Sequence, residues 1–324
     1  MGRSISRKPE GNGSASSSRS HNLGDRLFRK IAQAFALSVI GIVLTLAASL
    51  AWNSRLSLVK FGPSFLWGQT WDPVRGLFGA LPFIYGTLVT SAVGLMIAVP
   101  LGLGTAIFLA ELAPQKVSEF LSFLIELLAA IPSVIYGLIG IFVVVPWVRS
   151  VVSPSVSTVL GWCPLFQGTP YGVGLFTAGL ILAAMIVPFI TTVSREVLLA
   201  VPRSQREAAL ALGATHWETV WRAILPYARS GIIGSVFLAL ARALGETMAV
   251  TMVVGNRPEI RASLFEPGYT MAAVLANEFT EATYDLYLHA LIEIGLVLFG
   301  VTFIVNGLAR LLLHRAGHAM EARV

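Results

Sequence analysis

Two charged side chains interrupt an otherwise apolar stretch late in the chain. Arg242 and Glu246 stand in the sequence ARALGETMAV and are four residues apart. On an α-helix this spacing stacks two side chains on one face, which Ser235, Ala239 and Ala249 would share. A guanidinium stays charged when it is desolvated and offers paired donors to a tetrahedral oxyanion, and the carboxylate would hold it in place. The pair predicts either a path for an anion or a self-neutralising contact that only supports packing.

A second signal lies in the stretch PRSQREAALALGATHWETVWRAILPYARS. Ser204 is followed three residues later by Glu207, and Thr215 is followed in the same way by Glu218. Each pair matches the capping box that begins a helix. Gly213 stands between the two pairs, where the first helix needs a residue with positive φ to end. The stretch therefore predicts two short helices that are broken at Gly213.

These two short helices differ in character. The first is slim and apolar in its second half, which suits a groove in another protein. In the second helix, Trp217, Val220, Trp221 and Ile224 recur at helical spacing and predict one apolar face, and Pro226 is expected to end the helix. The other interpretation is an amphipathic hairpin that lies on a membrane surface.

The amino-acid composition is typical of a membrane protein. Of the 324 residues, 55% are hydrophobic and only 12% are charged, whereas soluble domains carry about a quarter charged residues. Six apolar stretches are long enough to cross a bilayer as helices, which takes about twenty residues each. They are residues 31–52, 83–112, 120–148, 173–199, 231–255 and 286–313. The sequence thus predicts an all-α integral membrane protein with six transmembrane helices.

The distribution of basic residues predicts the orientation of these helices. Most lysines and arginines lie in the N-terminal segment, in the loops after the second and fourth stretches, and in the C-terminal segment. Because such residues collect on the cytoplasmic side, both termini are expected in the cytoplasm. We expect residues 1–30 to be a disordered basic tail, 31–52 the first transmembrane helix, 81–313 the transmembrane core and 314–324 a cytoplasmic tail.

Several chemistries find no support in the sequence. A Walker A loop needs a lysine directly after a glycine, and no lysine here has that neighbour. HExxH, GxSxG and clustered Cys/His patterns are absent too, so we predict no metal, no cofactor and no catalytic residue. The single cysteine, Cys163, excludes an intrachain disulfide. The net charge of +6 fits membrane orientation better than binding of nucleic acid.

The polar stretch resembles the EAA signature of bacterial ABC-importer permeases. The positions that match are Glu207, Ala208, Ala209, Gly213, Leu225 and Pro226. One position departs from the family, since Ala223 stands where isoleucine is usual and Ile224 lies beside it. The resemblance implies that residues 202–230 form a cytoplasmic coupling loop that docks on a separate ATPase subunit.

The stretch RALGETMAV, with VVGN soon after it, resembles the phosphate-specific permeases of the PstC family. The segments LPFIYGTLVTS, IPSVIYGL and ANEF support that likeness, which covers roughly residues 60–313. Sulfate and molybdate permeases share a RALGE-like core, but there an aromatic residue and a glycine usually follow the glutamate. Thr247 and Met248 stand at those positions here.

The resemblance carries further expectations. The fold would be a type I importer permease (MetI-like) core in the bacterial inner membrane, and Arg242 and Glu246 would serve phosphate passage. Expected partners are a homologous second permease (PstA-like), a dimer of ATPase subunits (PstB-like) that binds ATP and Mg²⁺, an extracytoplasmic phosphate-binding protein (PstS-like) and membrane lipid. Glu126 and Glu293 lie in or near apolar stretches and receive no role.

Two other functions stay open from the sequence. One is a permease of the same architecture for sulfate-type or molybdate-type oxyanions. The other is an ion-coupled secondary transporter or channel, in which the helical hairpin lies on the membrane and docks on nothing. A membrane-embedded enzyme is disfavoured, because no nucleophile and base recur at a spacing that suggests catalysis.

Overall fold

The computed structural model gives the backbone of residues 18–321 and the side-chain environments of residues 24–308, 310 and 311. Within these residues the regular secondary structure is helical, with two isolated β-bridges. The first helix, α1 (Ser18–Asn53), accounts for the described part of one compact unit, Met1–Trp52. The second unit, Asn53–Val324, contains the other helices and the residues of interest for function.

The N-terminal segment corrects one prediction. A disordered tail was expected over residues 1–30; residues 1–17 lie outside the described residues, but residues 18–30 form the first turns of α1. The sequence RLFRK at residues 26–30 consists largely of good helix formers. A helix nucleated in the apolar stretch propagates into such residues easily. The stretch Gly24–Asn53 is long and apolar enough to cross a bilayer.

The second unit contains the other helices of the described residues. They are α2 (Arg55–Phe61), α3 (Ser64–Trp67), α4 (Leu81–Leu112), α5 (Gln115–Ala129), α6 (Ser133–Leu160), α7 (Leu175–Leu199), α8 (Arg203–Ala211), α9 (His216–Leu244), α10 (Met248–Val253), α11 (Met271–Glu278) and α12 (Asp285–Glu321). A 3₁₀ turn lies at Pro164–Phe166. Wider π-helical turns occur in α4 at Phe108–Leu112, in α6 at Gly140–Val144 and Val148–Val152, and in α9 at Val220–Ile224.

Six of the described helices are long and apolar enough to cross a membrane: α1, α4, α6, α7, α9 and α12. The predicted all-α fold with six spans is therefore confirmed. The third span lies later than the predicted 120–148, because the chain breaks between α5 and α6 at Pro132. Proline lacks an N–H and pushes the preceding residue out of the helical region, so α5 cannot continue into α6.

Close packing of α4 against α7 forms the centre of the bundle. Two glycines permit this approach. A Cβ at Gly179 would lie 2.5 Å from Val93 Cγ1, and a Cβ at Gly102 would lie 2.9 Å from Ile190 Cβ. Small residues let membrane helices approach until their backbones nearly touch, which provides van der Waals contact where the hydrophobic effect is weak. The two helices thus form a rigid frame for the segments described below.

A second packed region lies where α4 and α12 begin. The Trp71 and Phe83 rings meet edge to face at 4.9 Å, and Tyr287 packs in the same cluster. Glu278 accepts hydrogen bonds from Trp71 Nε1 at 2.8 Å and from the Tyr287 hydroxyl at 2.7 Å. This carboxylate joins α11 to α12 and to the loop before α4, so this end of the bundle is tightly held.

Gly86 offers a test of this packing. A Cβ at Gly86 would lie 2.1 Å from the backbone oxygen of Tyr269, so Gly86→Ala is expected to lower the free energy of unfolding by ~1–3 kcal/mol through overpacking. Thermal unfolding of the purified protein in detergent measures this. Gly104→Ala on the same helix is the control, because nothing lies within 4 Å of its Cβ position. Equal melting temperatures for the two variants would show that this contact is not tight.

Candidate transport and coupling sites

The helix that carries Arg242 ends two residues later. α9 stops at Leu244, and Gly245, with φ −97° and ψ 0°, takes the chain out of the helix. Arg242 lies in the last turn of α9 and its side chain is exposed. The unpaired carbonyls at a helix C-terminus carry partial negative charge, which favours a cation in that turn. Arg242 thus lies at the C-terminal end of a candidate spanning helix.

Glu246 belongs to the next segment of chain. It lies in the break between α9 and α10, and its Oε1 accepts a hydrogen bond from the backbone N–H of Ala249 at 3.3 Å. The first N–H groups of a helix have no partner inside the helix, so a carboxylate at this place satisfies one of them. Glu246 therefore caps α10 (Met248–Val253).

The predicted ion pair and stripe are not found. Among the ion pairs of the described residues, none joins Arg242 to Glu246. The stripe is also interrupted, because Ser235, Ala239 and Ala249 are buried whereas Arg242 is exposed. The prediction assumed a continuous helix, and the break at Gly245 turns the carboxylate toward α10. Arg242 is left without a carboxylate partner among the described residues, available to an anion.

The start of α6 supports this break. A Cβ at Gly137 would lie 2.4 Å from Met252 Sδ, and one at Gly140 would lie 2.6 Å from Val253 Cγ1. The two glycines therefore let α10 lie directly on α6. The segment IPSVIYGL supports the family resemblance, but no pattern in the sequence predicts that it packs on α10.

The coupling loop begins with α8 (Arg203–Ala211), and the predicted break follows at Gly213. The φ angle of Gly213 is +84°. The N–H of Gly213 donates to Leu210 O at 2.9 Å, and the N–H of Ala214 donates to Ala209 O at 3.1 Å. These two bonds form a Schellman motif, which satisfies carbonyls that the helix end leaves free. Ala209 of the EAA signature thus also has a structural part in ending the helix.

One of the two predicted capping boxes forms. Thr215 Oγ1 accepts from the N–H of Glu218 at 3.3 Å, and Glu218 Oε2 accepts from the N–H of Thr215 at 2.9 Å. The Ser204–Glu207 box does not form, because Pro202 takes the N-cap position of α8. With the helix already begun at Arg203, the Ser204 hydroxyl lies inside the first turn and cannot cap it.

The second helix of the loop is not the short, one-faced helix that was predicted. Val220 and Ile224 are 4% and 1% exposed, whereas Trp217 and Trp221 are 65% and 54% exposed. The four residues therefore do not share one environment. Val220 and Ile224 pack with Ala106, Leu198 and Val201 and anchor the loop to α4 and α7. The indoles, with ring centroids 5.4 Å apart, remain outside the bundle.

Pro226 lies inside α9 and does not end it, contrary to the prediction. The helix runs from His216 to Leu244, and the fifth span therefore starts before and ends earlier than the predicted 231–255. The π-helical turn Val220–Ile224 directly precedes Leu225 and Pro226. A wider turn relieves the clash between the proline ring and the preceding turn, so the helix continues.

The docking surface of the loop is mostly open. Glu207 and Ala208 are exposed, and Ala209, Leu225 and Pro226 are half-buried. Leu212 is 89% exposed at the tip of the hairpin. Exposed leucine and tryptophan side chains on one loop form a surface of the kind that a protein partner covers.

Sequence reasoning missed Arg206, which connects the loop to the bundle. Its guanidinium forms an ion pair with Glu111, with Nη2 to Oε1 at 2.7 Å and Nε to Oε2 at 3.2 Å. It also donates to the carbonyl of Leu198 at 2.8 Å. Arg206 and Glu111 are 95 residues apart in the chain, so no local pattern indicates the pair.

Two acidic residues left without a role lie in different places. Glu126 is exposed on α5, outside the six candidate spans. Glu293 is 3% exposed in α12, close to Ser57, and its Oε2 has no hydrogen-bond partner among the described residues. Neither residue lies at the break that follows α9 or in the coupling loop.

The fold and the two sites define a class of protein. A multi-pass helical bundle has a spanning helix interrupted next to an arginine, and a helical hairpin projects from it between the fourth and fifth spans. Interrupted helices with charged groups are typical of transport proteins, which lead ions past irregular backbone.

Comparisons with known proteins agree with that class. The family model of binding-protein-dependent transport system inner membrane components matches residues 98–318. A phosphate transport system permease protein PstC from Mesorhizobium japonicum is 47% identical over 297 residues, which are 90% of this chain and 91% of that protein. Its namesake from Pasteurella multocida is 46% identical over 299 residues, with 91% and 93% covered.

A solved structure shares the fold. It is the crystal structure of a bacterial ABC transporter involved in the import of the acidic polysaccharide alginate, with a TM-score of 0.53 at 18% identity over 90% of this chain and 99% of that one. The chain belongs to the family of binding-protein-dependent transport system inner membrane components. The resemblance to ABC-importer permeases and the expected type I (MetI-like) fold are thereby confirmed.

Proposed function

We propose that this chain is the permease subunit of an ATP-driven importer that carries inorganic phosphate across the cytoplasmic membrane. The observation that carries the proposal is the break after α9, which leaves the Arg242 guanidinium exposed and without a carboxylate partner among the described residues. Arginine binds tetrahedral oxyanions through paired, charge-assisted hydrogen bonds. The two relatives named as phosphate transport system permeases support the choice of anion.

Glu246 has a supporting part in this mechanism. Because its carboxylate caps α10, it fixes the backbone of the break beside Arg242. Its negative charge near the path also keeps an anion from binding so tightly that it cannot leave. Phosphate would thus meet one positive group that attracts it and one negative group that limits its residence.

In this proposal, the coupling loop transmits the energy of ATP hydrolysis to the transmembrane helices. The chain has no Walker A sequence, so ATP and Mg²⁺ belong to a separate ATPase dimer (PstB-like), and this chain itself is not an enzyme. The exposed side chains of Leu212, Trp217 and Trp221, together with Glu207 of the same loop, would contact a cleft of that ATPase. A homologous permease (PstA-like) would complete the path, and an extracytoplasmic phosphate-binding protein (PstS-like) would deliver phosphate.

The orientation follows from the same arrangement. Basic residues concentrate in the coupling loop and in the N- and C-terminal segments, and we assign these segments to one side of the membrane. We place this side in the cytoplasm of a bacterial cell, where the ATPase has access to ATP. The residues between α10 and α12 then face the opposite side and receive the binding protein.

The exposed tryptophans give a prediction about docking. Replacing both Trp217 and Trp221 with alanine is expected to weaken binding of the ATPase subunit by about tenfold or more, since exposed aromatic anchors commonly dominate interfaces. Affinity between the permease in nanodiscs and the purified ATPase measures the effect. Trp162→Ala is the matched control, because Trp162 is 80% exposed in the loop between the third and fourth spans, on the other side of the membrane. Equal affinities for both variants would contradict the docking role.

Uptake of labelled phosphate by intact cells that depend on this transporter tests the substrate. Phosphate is expected to accumulate, and a hundredfold excess of unlabelled phosphate, but not of sulfate or molybdate, should compete. Competition by sulfate would favour the oxyanion permease of the same architecture, whose family usually has an aromatic residue and a glycine at the positions of Thr247 and Met248.

A further inference from the structure

Arg206 connects three elements through one guanidinium. It lies on the coupling helix α8 and pairs with Glu111 in the π-helical turn that ends α4. It also donates to the backbone carbonyls of Leu198 and Val201 at the C-terminus of α7, the first at 2.8 Å. The Arg206 and Glu111 side chains are 21% and 10% exposed. The coupling helix is thus joined to the ends of two spanning helices at a single, mostly buried point.

The geometry of this point makes it stiff. Two parallel hydrogen bonds between a guanidinium and a carboxylate fix both their distance and their relative orientation. The carbonyls at the end of α7 carry the negative end of the helix dipole, which adds to the attraction. Partial burial reduces screening, so the contact is stronger than the surface ion pair Arg261–Glu259, whose side chains are 61% and 49% exposed.

The rest of α8 has little to hold it. No side chain of α8 is buried, and among the described residues Arg206 is the side chain of α8 that makes hydrogen bonds to other elements. When a partner displaces a helix, the neighbouring helices move with it only through contacts that keep their geometry. The apolar cluster that contains Val201 and Ile224 includes residues before and after α8 in the chain but no residue of α8 itself.

We propose that Arg206 is a positioning residue that makes α8, the end of α4 and the end of α7 move as one rigid body. This inference rests on the proposed function, in which the ATPase displaces α8. The displacement then reaches two spanning helices together, and α7 packs against α9, which leads to the break beside Arg242. Without the guanidinium, α8 would tilt together with the bound ATPase while α4 and α7 stayed in place.

The first test is removal of the contact in the reconstituted transporter. Arg206→Gln and Glu111→Gln are each expected to lower the phosphate imported per ATP hydrolysed by about tenfold, with ATPase binding and ATP hydrolysis retained. Arg206→Lys should recover part of the coupling, since it restores the charge without the paired geometry. Lys116→Gln is the control for loss of one positive charge on the same side, because Lys116 is exposed at the start of α5. Full coupling in both glutamine variants would overturn the proposal.

A second experiment tests whether α8 and α4 move together even if the glutamine variants fold poorly. In a Cys163→Ser background, Arg206→Cys and Glu111→Cys are joined by a short bifunctional thiol reagent. If the elements move together, the covalent link should restore phosphate uptake to that of the background protein. If the link stops uptake, α8 must move relative to α4 in each cycle, and the proposal is wrong. Failure of the background protein to import phosphate at all would instead refute the proposed function.

Discussion

Phosphate uptake is expected to fall by about 100-fold when Arg242 is replaced with leucine. The loss of a charged donor from a desolvated contact with an oxyanion costs ~3 kcal/mol. Because about 1.4 kcal/mol corresponds to a factor of ten, this cost corresponds to about 100-fold. The shape of α9 is kept, because leucine is a good helix former. Labelled phosphate uptake by proteoliposomes that contain the complete transporter measures the effect. Membrane insertion and binding of the ATPase should be unchanged, because Arg242 lies at the far end of α9 from the coupling loop.

Arg149→Leu provides the matched control for this prediction. Arg149 also lies in a candidate spanning helix, α6, and its side chain is exposed. Its removal takes away the same charge from the chain without touching the break after α9. If Arg242→Leu took up phosphate as fast as Arg149→Leu, the guanidinium would have no part in the passage of the anion.

The second large effect is expected at the tip of the coupling loop. Gly213→Val should reduce the phosphate imported per ATP by about tenfold or more, because a φ of +84° costs a residue with a side chain ~1–2 kcal/mol, and more when it is β-branched. The Schellman motif would open and the end of α8 would lose its fixed position. Transport and ATP hydrolysis measured side by side in proteoliposomes give this ratio.

Gly213→Asn separates the backbone from the side chain in this experiment. Nothing lies within 4 Å of a Cβ built at Gly213, so the added atoms meet no obstacle in this chain. Asparagine tolerates positive φ far better than valine, and the asparagine variant should keep most of the coupling. Equal loss in both variants would point to contact with the ATPase as the cause, and equal retention would contradict a need for the turn.

Local sequence patterns predicted the features of the structure that depend on interactions between residues close together in the chain. The length of the apolar stretches predicts the spans, since a bilayer demands that length whatever the tertiary fold. Gly213 and the Thr215–Glu218 box were predicted from neighbouring residues alone, and both form because a helix end must satisfy its own backbone groups. A role for Arg242 and Glu246 followed from the cost of placing a charge in lipid and stays a prediction, whereas the continuous helix assumed for the pair was wrong.

Other features depend on contacts that no short window contains. The break after Leu244 falls in a run that reads as a continuous helix, and it persists because Gly137 and Gly140 make room for α10 on a distant helix. The Ser204 cap failed because Pro202 takes the N-cap position two residues earlier. The Arg206–Glu111 pair bridges α8 and α4, which only the folded bundle brings together.

The most direct test of the account uses proteoliposomes that contain this permease, its partner permease and the ATPase, with the phosphate-binding protein outside and ATP on the side of the coupling loop. Labelled phosphate should accumulate inside only when ATP is hydrolysed, and dissipating the proton and sodium gradients should not change the amount. Accumulation without ATP that follows an imposed ion gradient would contradict the account, since the chain would then be an ion-coupled transporter.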